Sequence, residues 1–192
     1  MQSRYLTAVL CRYCPNAHVL VISNPVNSTV PIAYETLKSH GIANPSVFGV
    51  TTLDTIRSKT FVGELKGLDP AFVDIKVVGG HSGPTIVPLL STVKNAQFTA
   101  DEAKSLVNRI QYGGDEVVKA KAGAGSATLS MAFAAREFYR TIVAALDGVK
   151  PAADAVRPIA FVKTDKFEPG YFATELEIGV NSIAYNILSQ YD

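Results

Sequence analysis

The chain predicts an α/β fold: the trailing strands of a parallel sheet, followed by an α+β segment. Three observations carry this. His18 to Ser23 reads HVLVIS, a near-continuous apolar run of the kind found in parallel strands covered on both faces. Helix-like and strand-like stretches then alternate as far as Val78. After Pro88 the character changes to long amphipathic helices closed by a pair of short strands.

Taken in order, residues 1–14 form a helix with Tyr5, Leu6, Val9 and Leu10 at helical spacing, and Pro15-Asn16 breaks it. The apolar strand ends at Asn24-Pro25-Val26-Asn27. Asn27 or Ser28 caps a helix that runs to about His40, with Gly41 as its stop. Val47 to Val50 is a short strand. Thr51 or Thr52 caps a helix through Leu65, and Val73 to Val78 is a strand running into Gly79-Gly80-His81. Phe98-Thr99-Ala100-Asp101-Glu102 opens a helix with a threonine cap and an acidic first turn. Gly113-Gly114 is expected to interrupt it near Gln111, with a second helix to about Ala120. Gly123 to Ser126 reads as a loop, and Ser126 or Thr128 starts a long helix through Leu146. Ile159 to Thr164 and Tyr171 to Ile178 are strands joined by a Pro169-Gly170 turn.

Composition narrows the function. The 192 residues are 47% hydrophobic and 18% charged, enough apolar content for a core, with a formal net charge of +1. No lysine- or arginine-rich block is present, so no nucleic-acid partner is expected. No apolar run approaches ~18–20 residues, so no membrane span is expected. Met1 to Leu10 shows no targeting signal, which leaves the compartment open. The two cysteines, Cys11 and Cys14, close a helix and have no second pair to complete a metal site. They read as reduced thiols, and no metal is expected.

Two stretches carry the chemistry. Gly79-Gly80-His81-Ser82-Gly83 places a histidine among glycines at a strand end. Thr51-Thr52-Leu53-Asp54-Thr55-Ile56-Arg57-Ser58 puts a carboxylate and a guanidinium on one helix face. A helix and a returning strand separate Asp54 from His81, enough chain to bring them together. An aspartate accepting from one imidazole nitrogen fixes the tautomer and leaves the other nitrogen to exchange a proton with a substrate oxygen. Arg57 offers a planar fork for a carboxylate. The plainer readings are a structural histidine and an Asp54–Arg57 ion pair within one helix. Asn24 either shapes a turn or presents its amide at the carboxyl end of a parallel strand, where α/β sheets bind ligands.

Other patterns drop out. Gly123-Ala124-Gly125-Ser126-Ala127-Thr128 lacks the last glycine of a dinucleotide fingerprint and follows a helix. Gly80-His81-Ser82-Gly83-Pro84 is not a nucleophile elbow, because histidine holds the middle position.

The order Ser23-Asn24-Pro25-Val26-Asn27, Phe48-Gly49-Val50-Thr51-Thr52-Leu53-Asp54-Thr55-Ile56-Arg57, Gly79-Gly80-His81-Ser82-Gly83 and Gly125-Ser126-Ala127-Thr128-Leu129-Ser130-Met131 resembles the malate dehydrogenases. It is most similar to the mitochondrial and bacterial subgroup of the lactate/malate dehydrogenase superfamily. The resemblance runs from about Pro15 to Gly148. It implies the trailing part of a Rossmann-type sheet joined to the α+β C-terminal domain of that superfamily. Residues 1–50 are then a remnant of the NAD-binding domain, and 51–192 the catalytic, substrate-binding domain.

The resemblance further implies NAD-dependent oxidation of (S)-malate to oxaloacetate. His81 is the acid/base, Asp54 its orienting partner, and Arg57 holds the carboxylate beside the carbinol carbon. Asn24 contacts the carbinol oxygen and, with Ile22, Ser23 and Met131, lies along the cofactor. A dicarboxylate substrate and a homodimer or higher homo-oligomer are expected. The family's glycine-rich turn and the arginine-bearing loop that clamps the second carboxylate have no counterpart in the motif order. Two alternatives follow: a non-catalytic piece that keeps only the dimerisation surface, and a dehydrogenase for another 2-hydroxy acid. The same consideration predicts an exposed sheet edge beside the HVLVIS strand and an open site.

Overall fold

A computed structural model describes residues 2–122, 128–149, 158–166, 168–178 and 183–185. The element order is α1 (Gln2–Tyr13), β1 (Val19–Val21), α2 (Val26–Ser39), β2 (Val47–Val50), α3 (Thr52–Lys66) and β3 (Lys76–Gly79). It continues with β4 (Ile86–Leu89), α4 (Ala100–Ala120), α5 (Leu129–Leu146), β5 (Ile159–Lys163), β6 (Tyr171–Ile178) and β7 (Ile183–Tyr185).

The strands pair in the order β1-β2-β5-β6-β3-β4, with β7 on β6. β1 and β2 run parallel, and the other pairings are antiparallel. Gly49, Phe161, Ala173 and Gly79 are successive partners across β2, β5, β6 and β3. This row brings the end of β3 level with the end of β2. Among the described residues β1 pairs only with β2, which makes it the exposed edge expected from the sequence. Ile22, just beyond it, is 43% exposed.

Alternation along the strands sorts the core. Val47, Ile159, Phe161 and Ala173 face α2, where Val26, Val30, Ala33 and Leu37 cover them. Phe48, Val50, Ala160, Val162 and Leu176 face the opposite way, onto Phe138 and Ile142 of α5. A separate cluster joins Val77 and Ile86 of the β3–β4 hairpin to Val62 of α3 and to Leu106 and Ile110 of α4.

The caps of α4 and α5 act where the sequence placed them. Thr99 and Glu102 form a reciprocal capping box on α4, the Thr128 hydroxyl accepts from the Met131 amide to cap α5, and Gly67 ends α3 at φ 65°. Cys11 is half-buried against the α2 cluster and Cys14 is exposed, both as free thiols.

Four expectations are corrected. α4 runs unbroken through Gly113-Gly114. α2 begins at Val26 after Pro25, with no side-chain cap from Asn27 or Ser28. The Thr51 side chain makes no cap bond to α3 either. Strand β3 is shorter than Val73 to Val78 at its start, and β4 was not anticipated. The expected Gly123–Ser126 loop lies outside the described residues, as does most of the tail after Ile178.

Candidate active site

Asp54 occupies the third position of α3, with its amide bonded to the Thr51 carbonyl at 2.9 Å. The first turn of a helix is a favourable place for a carboxylate. Its side chain is 3% exposed and reaches across to His81, where Oδ2 meets Nδ1 at 2.5 Å. The His81 side chain is 12% exposed. The two residues singled out in the sequence are therefore in direct contact, and Nδ1–H donates to the carboxylate. That arrangement leaves Nε2 as the ring's free proton acceptor.

Arg57 stands one turn further along α3, half-buried, and no described residue forms an ion pair or hydrogen bond with it. The within-helix Asp54–Arg57 pair is not formed, because Asp54 is committed to His81. Arg57 instead lies along α4 at the glycine doublet: a Cβ on Gly114 would stand 3.5 Å from Nη1, and one on Gly113 would stand 3.7 Å from Cδ. Gly113 also passes Phe61 of α3, whose ring would be 3.1 Å from an added Cβ. The Arg109 guanidinium of α4 lies over the same ring, 4.0 Å from its centroid, and pairs with Glu64 at 2.7 Å. The doublet thus lets α4 approach α3 closely, and the tertiary contacts outweigh the poor helix propensity of two glycines.

The same stretch of α4 touches the histidine loop. A Cβ on Gly83 would meet the Tyr112 ring at 3.6 Å, and Gln111 Nε2 donates to the Ile86 carbonyl at 3.1 Å. Tyr112 to Gly114 therefore borders both the loop that carries His81 and the guanidinium of Arg57. A cation with no anionic partner among the described residues, on the same helix as the aspartate of a histidine–aspartate pair, suits an anionic substrate that exchanges a proton.

The remaining candidates lie nearer β1. Asn24 follows the strand and is exposed, with no described partner for its amide. Ile22 and Ser23 beside it are also exposed, and the buried Thr29 hydroxyl holds this turn by donating to the Ser23 carbonyl at 2.8 Å. Met131 is on the other face of the sheet, half-buried against the cluster of Phe48, Val50 and Phe138. Among the described residues no group of three or more His, Cys, Asp and Glu side chains could hold a metal ion.

The sequence reading missed Asn27 and the glycine doublet as parts of this site. Asn27 was visible only as a possible cap, yet its side chain bonds the His81 loop. The doublet was visible only as a helix break. A polar residue in the first turn of a helix whose cap falls elsewhere was the available signal for Asn27.

Residues 51–188 match the family model described as the lactate/malate dehydrogenase, alpha/beta C-terminal domain. The mitochondrial malate dehydrogenases of Homo sapiens and Sus scrofa are each 50% identical over 184 residues, covering 95% of this chain and 53% of the relative. The chain thus spans about half the length of these relatives. Among solved structures, the malate dehydrogenase of Salinibacter ruber superposes with a TM-score of 0.79 at 21% identity, covering 97% of this chain and 60% of that one. The lactate dehydrogenase of Cryptosporidium parvum gives 0.76 at 20% identity, covering 99% and 65%. These two establish a shared fold, and the family match with the sequence relatives establishes kinship. This chain belongs to the lactate/malate dehydrogenase family through its α/β C-terminal domain.

Proposed function

We propose that the chain carries the catalytic half of an NAD-dependent malate dehydrogenase, interconverting (S)-malate and oxaloacetate. The contact between His81 and the buried Asp54, with Arg57 nearby and uncommitted, is the observation that carries the proposal. His81 is the acid/base. In the oxidative direction neutral His81 takes the hydroxyl proton at Nε2 as the carbonyl forms. In the reductive direction the imidazolium returns that proton to the carbonyl oxygen. Asp54 keeps the ring in the Nδ1–H tautomer and balances its charge when protonated. Arg57 binds the carboxylate next to the reacting carbon, using the two parallel donors of its fork.

Whether the residues present suit NAD is testable on the end of β1. Ile22 offers exposed apolar surface there, and Asn24 offers an amide with no described partner. That combination suits the nicotinamide end, with Ile22, Ser23 and Asn24 holding it and Met131 backing the strand from the other face. When bound, NAD accepts the hydride that leaves the carbinol carbon. We assign residues 1–50 to the trailing part of the nucleotide-binding domain and 51–192 to the substrate domain. The exposed Leu129 (90%), Phe133 (52%) and Tyr139 (57%) on α5 give an apolar surface that suits a second copy of the chain.

Calorimetric titration of the 192-residue protein with NADH, followed by an oxaloacetate-dependent NADH oxidation assay, tests the reading. Micromolar binding with turnover is expected. A protein that binds no NADH and turns over no oxaloacetate would support the non-catalytic alternative.

A further inference from the structure

We infer that Asn27 is a positioning residue for His81, an inference that rests on the acid/base reading of that histidine. Asn27 lies in the first turn of α2 and is half-buried. Its Oδ1 accepts the backbone N–H of His81 at 2.8 Å, and its Nδ2 donates to Thr85 Oγ1 at 3.2 Å. The Thr85 hydroxyl in turn donates to the Ser82 carbonyl at 2.8 Å and accepts from the Ser82 amide at 3.2 Å. Both ends of the Asn27 amide are therefore used, and the Thr85 hydroxyl makes its full set of one donated and two accepted bonds.

The glycines around His81 are shaped to this clamp. Gly79 has φ 95°, and a Cβ there would stand 2.3 Å from the Thr85 carbonyl oxygen. A Cβ on Gly80 would stand 2.4 Å from Thr85 Oγ1 and 2.8 Å from Asn27 Nδ2. The backbone needs glycine at both places because the loop closes on Asn27 and Thr85.

His81 is thus anchored at two points from two different helices. Asn27 of α2 holds its backbone, and Asp54 of α3 holds its ring. With both fixed, the direction of Nε2 is fixed as well. The α2 anchor is itself set by close packing, since a Cβ on Gly49 would stand 2.6 Å from Val26 Cγ1 and 2.8 Å from Val30 Cγ2. Asn24 precedes α2 by two residues, on the turn that Thr29 ties down. Asn27 therefore links the turn carrying Asn24 to the loop carrying His81, and keeps the amide and the imidazole in one frame.

Nuclear magnetic resonance of the ¹⁵N-labelled 192-residue protein tests this without requiring turnover, so an inactive wild type leaves it decidable. The variants are Asn27→Asp, which keeps an acceptor for the His81 amide, and Asn27→Leu, which keeps bulk and removes it. In wild type and Asn27→Asp the His81 amide stays protected from solvent exchange and the neutral ring shows the Nδ1–H tautomer. In Asn27→Leu protection of that amide falls by about tenfold, as for loss of one hydrogen bond. The ring nitrogens then report a mixture of tautomers, while the His18 and His40 ring signals stay unchanged. A folded Asn27→Leu with wild-type protection and a single tautomer would overturn the inference. If Asn27→Leu does not fold, a folded Asn27→Asp that loses His81 protection would overturn it equally.

Discussion

Asp54 gives its carboxylate to His81, at 2.5 Å, and not to Arg57 one turn along its own helix. A surface i,i+3 pair within α3 would stabilise the helix by only a few tenths of a kcal/mol. The long-range contact instead places a carboxylate behind an imidazole whose second nitrogen is open. Replacing Asp54 with Asn keeps the shape, removes the charge and turns one acceptor oxygen into a donor NH2. The expected result is a fall in kcat of about 10²–10⁴-fold, the range that general acid–base catalysis supplies. Steady-state kinetics on a variant with wild-type circular dichroism would check it; a loss under tenfold would contradict the role.

Arg57 has no anionic partner among the described residues, which leaves its fork for substrate. Arg57→Lys keeps the charge and removes the bidentate geometry. The Michaelis constant for oxaloacetate is expected to rise by about 10–100-fold, matching loss of one charged hydrogen bond of roughly 1.5–3 kcal/mol. NADH affinity, read by calorimetry, should stay at the wild-type value.

Glu102 predicts a pH dependence away from the site. Its carboxyl is held below the ordinary value of 4.5, first by the Lys66 ammonium at 2.7 Å and next by the Thr99 amide that closes the α4 capping box. A carboxyl with a lowered folded value contributes stability that is present above its unfolded value and is lost as pH falls through the folded one. Glu102→Gln should therefore melt below wild type at neutral pH, and the gap should close on acidification below about pH 4. Thermal melts of both proteins across that window would show it. A gap that stays constant into acid would contradict the assignment.

What the sequence made legible was local. HVLVIS reads as a strand because its apolar run is contiguous, but the expected cover on both faces is not met: β1 is half-buried at the sheet edge, where only β2 pairs with it among the described residues. Asp54 and Arg57 read as one face because helical spacing puts them there. The threonine cap and acidic first turn of residues 99–102 announce α4 in the same local way. What stayed hidden depends on distant chain. β4 was missed because Pro88 argues against a central strand, whereas β4 lies at the end of the strand order, where proline is tolerated. Gly113-Gly114 reads as a break because glycine is costly in a helix by about 1 kcal/mol. Its purpose emerges only when Phe61 and Arg57 of α3 are seen against it. Asn27 bonds to a residue 54 positions away, and no local rule announces such a pair.

In the proposed NAD-dependent 2-hydroxy-acid oxidation, His81 carries the proton. The direct measurement is the rate of oxaloacetate-dependent NADH oxidation by wild type and His81→Asn, with NADH binding measured on both proteins. The variant is expected to bind NADH as wild type does and to lose activity by about 10²–10⁴-fold. Equal rates in the two proteins, at equal NADH affinity, would contradict it.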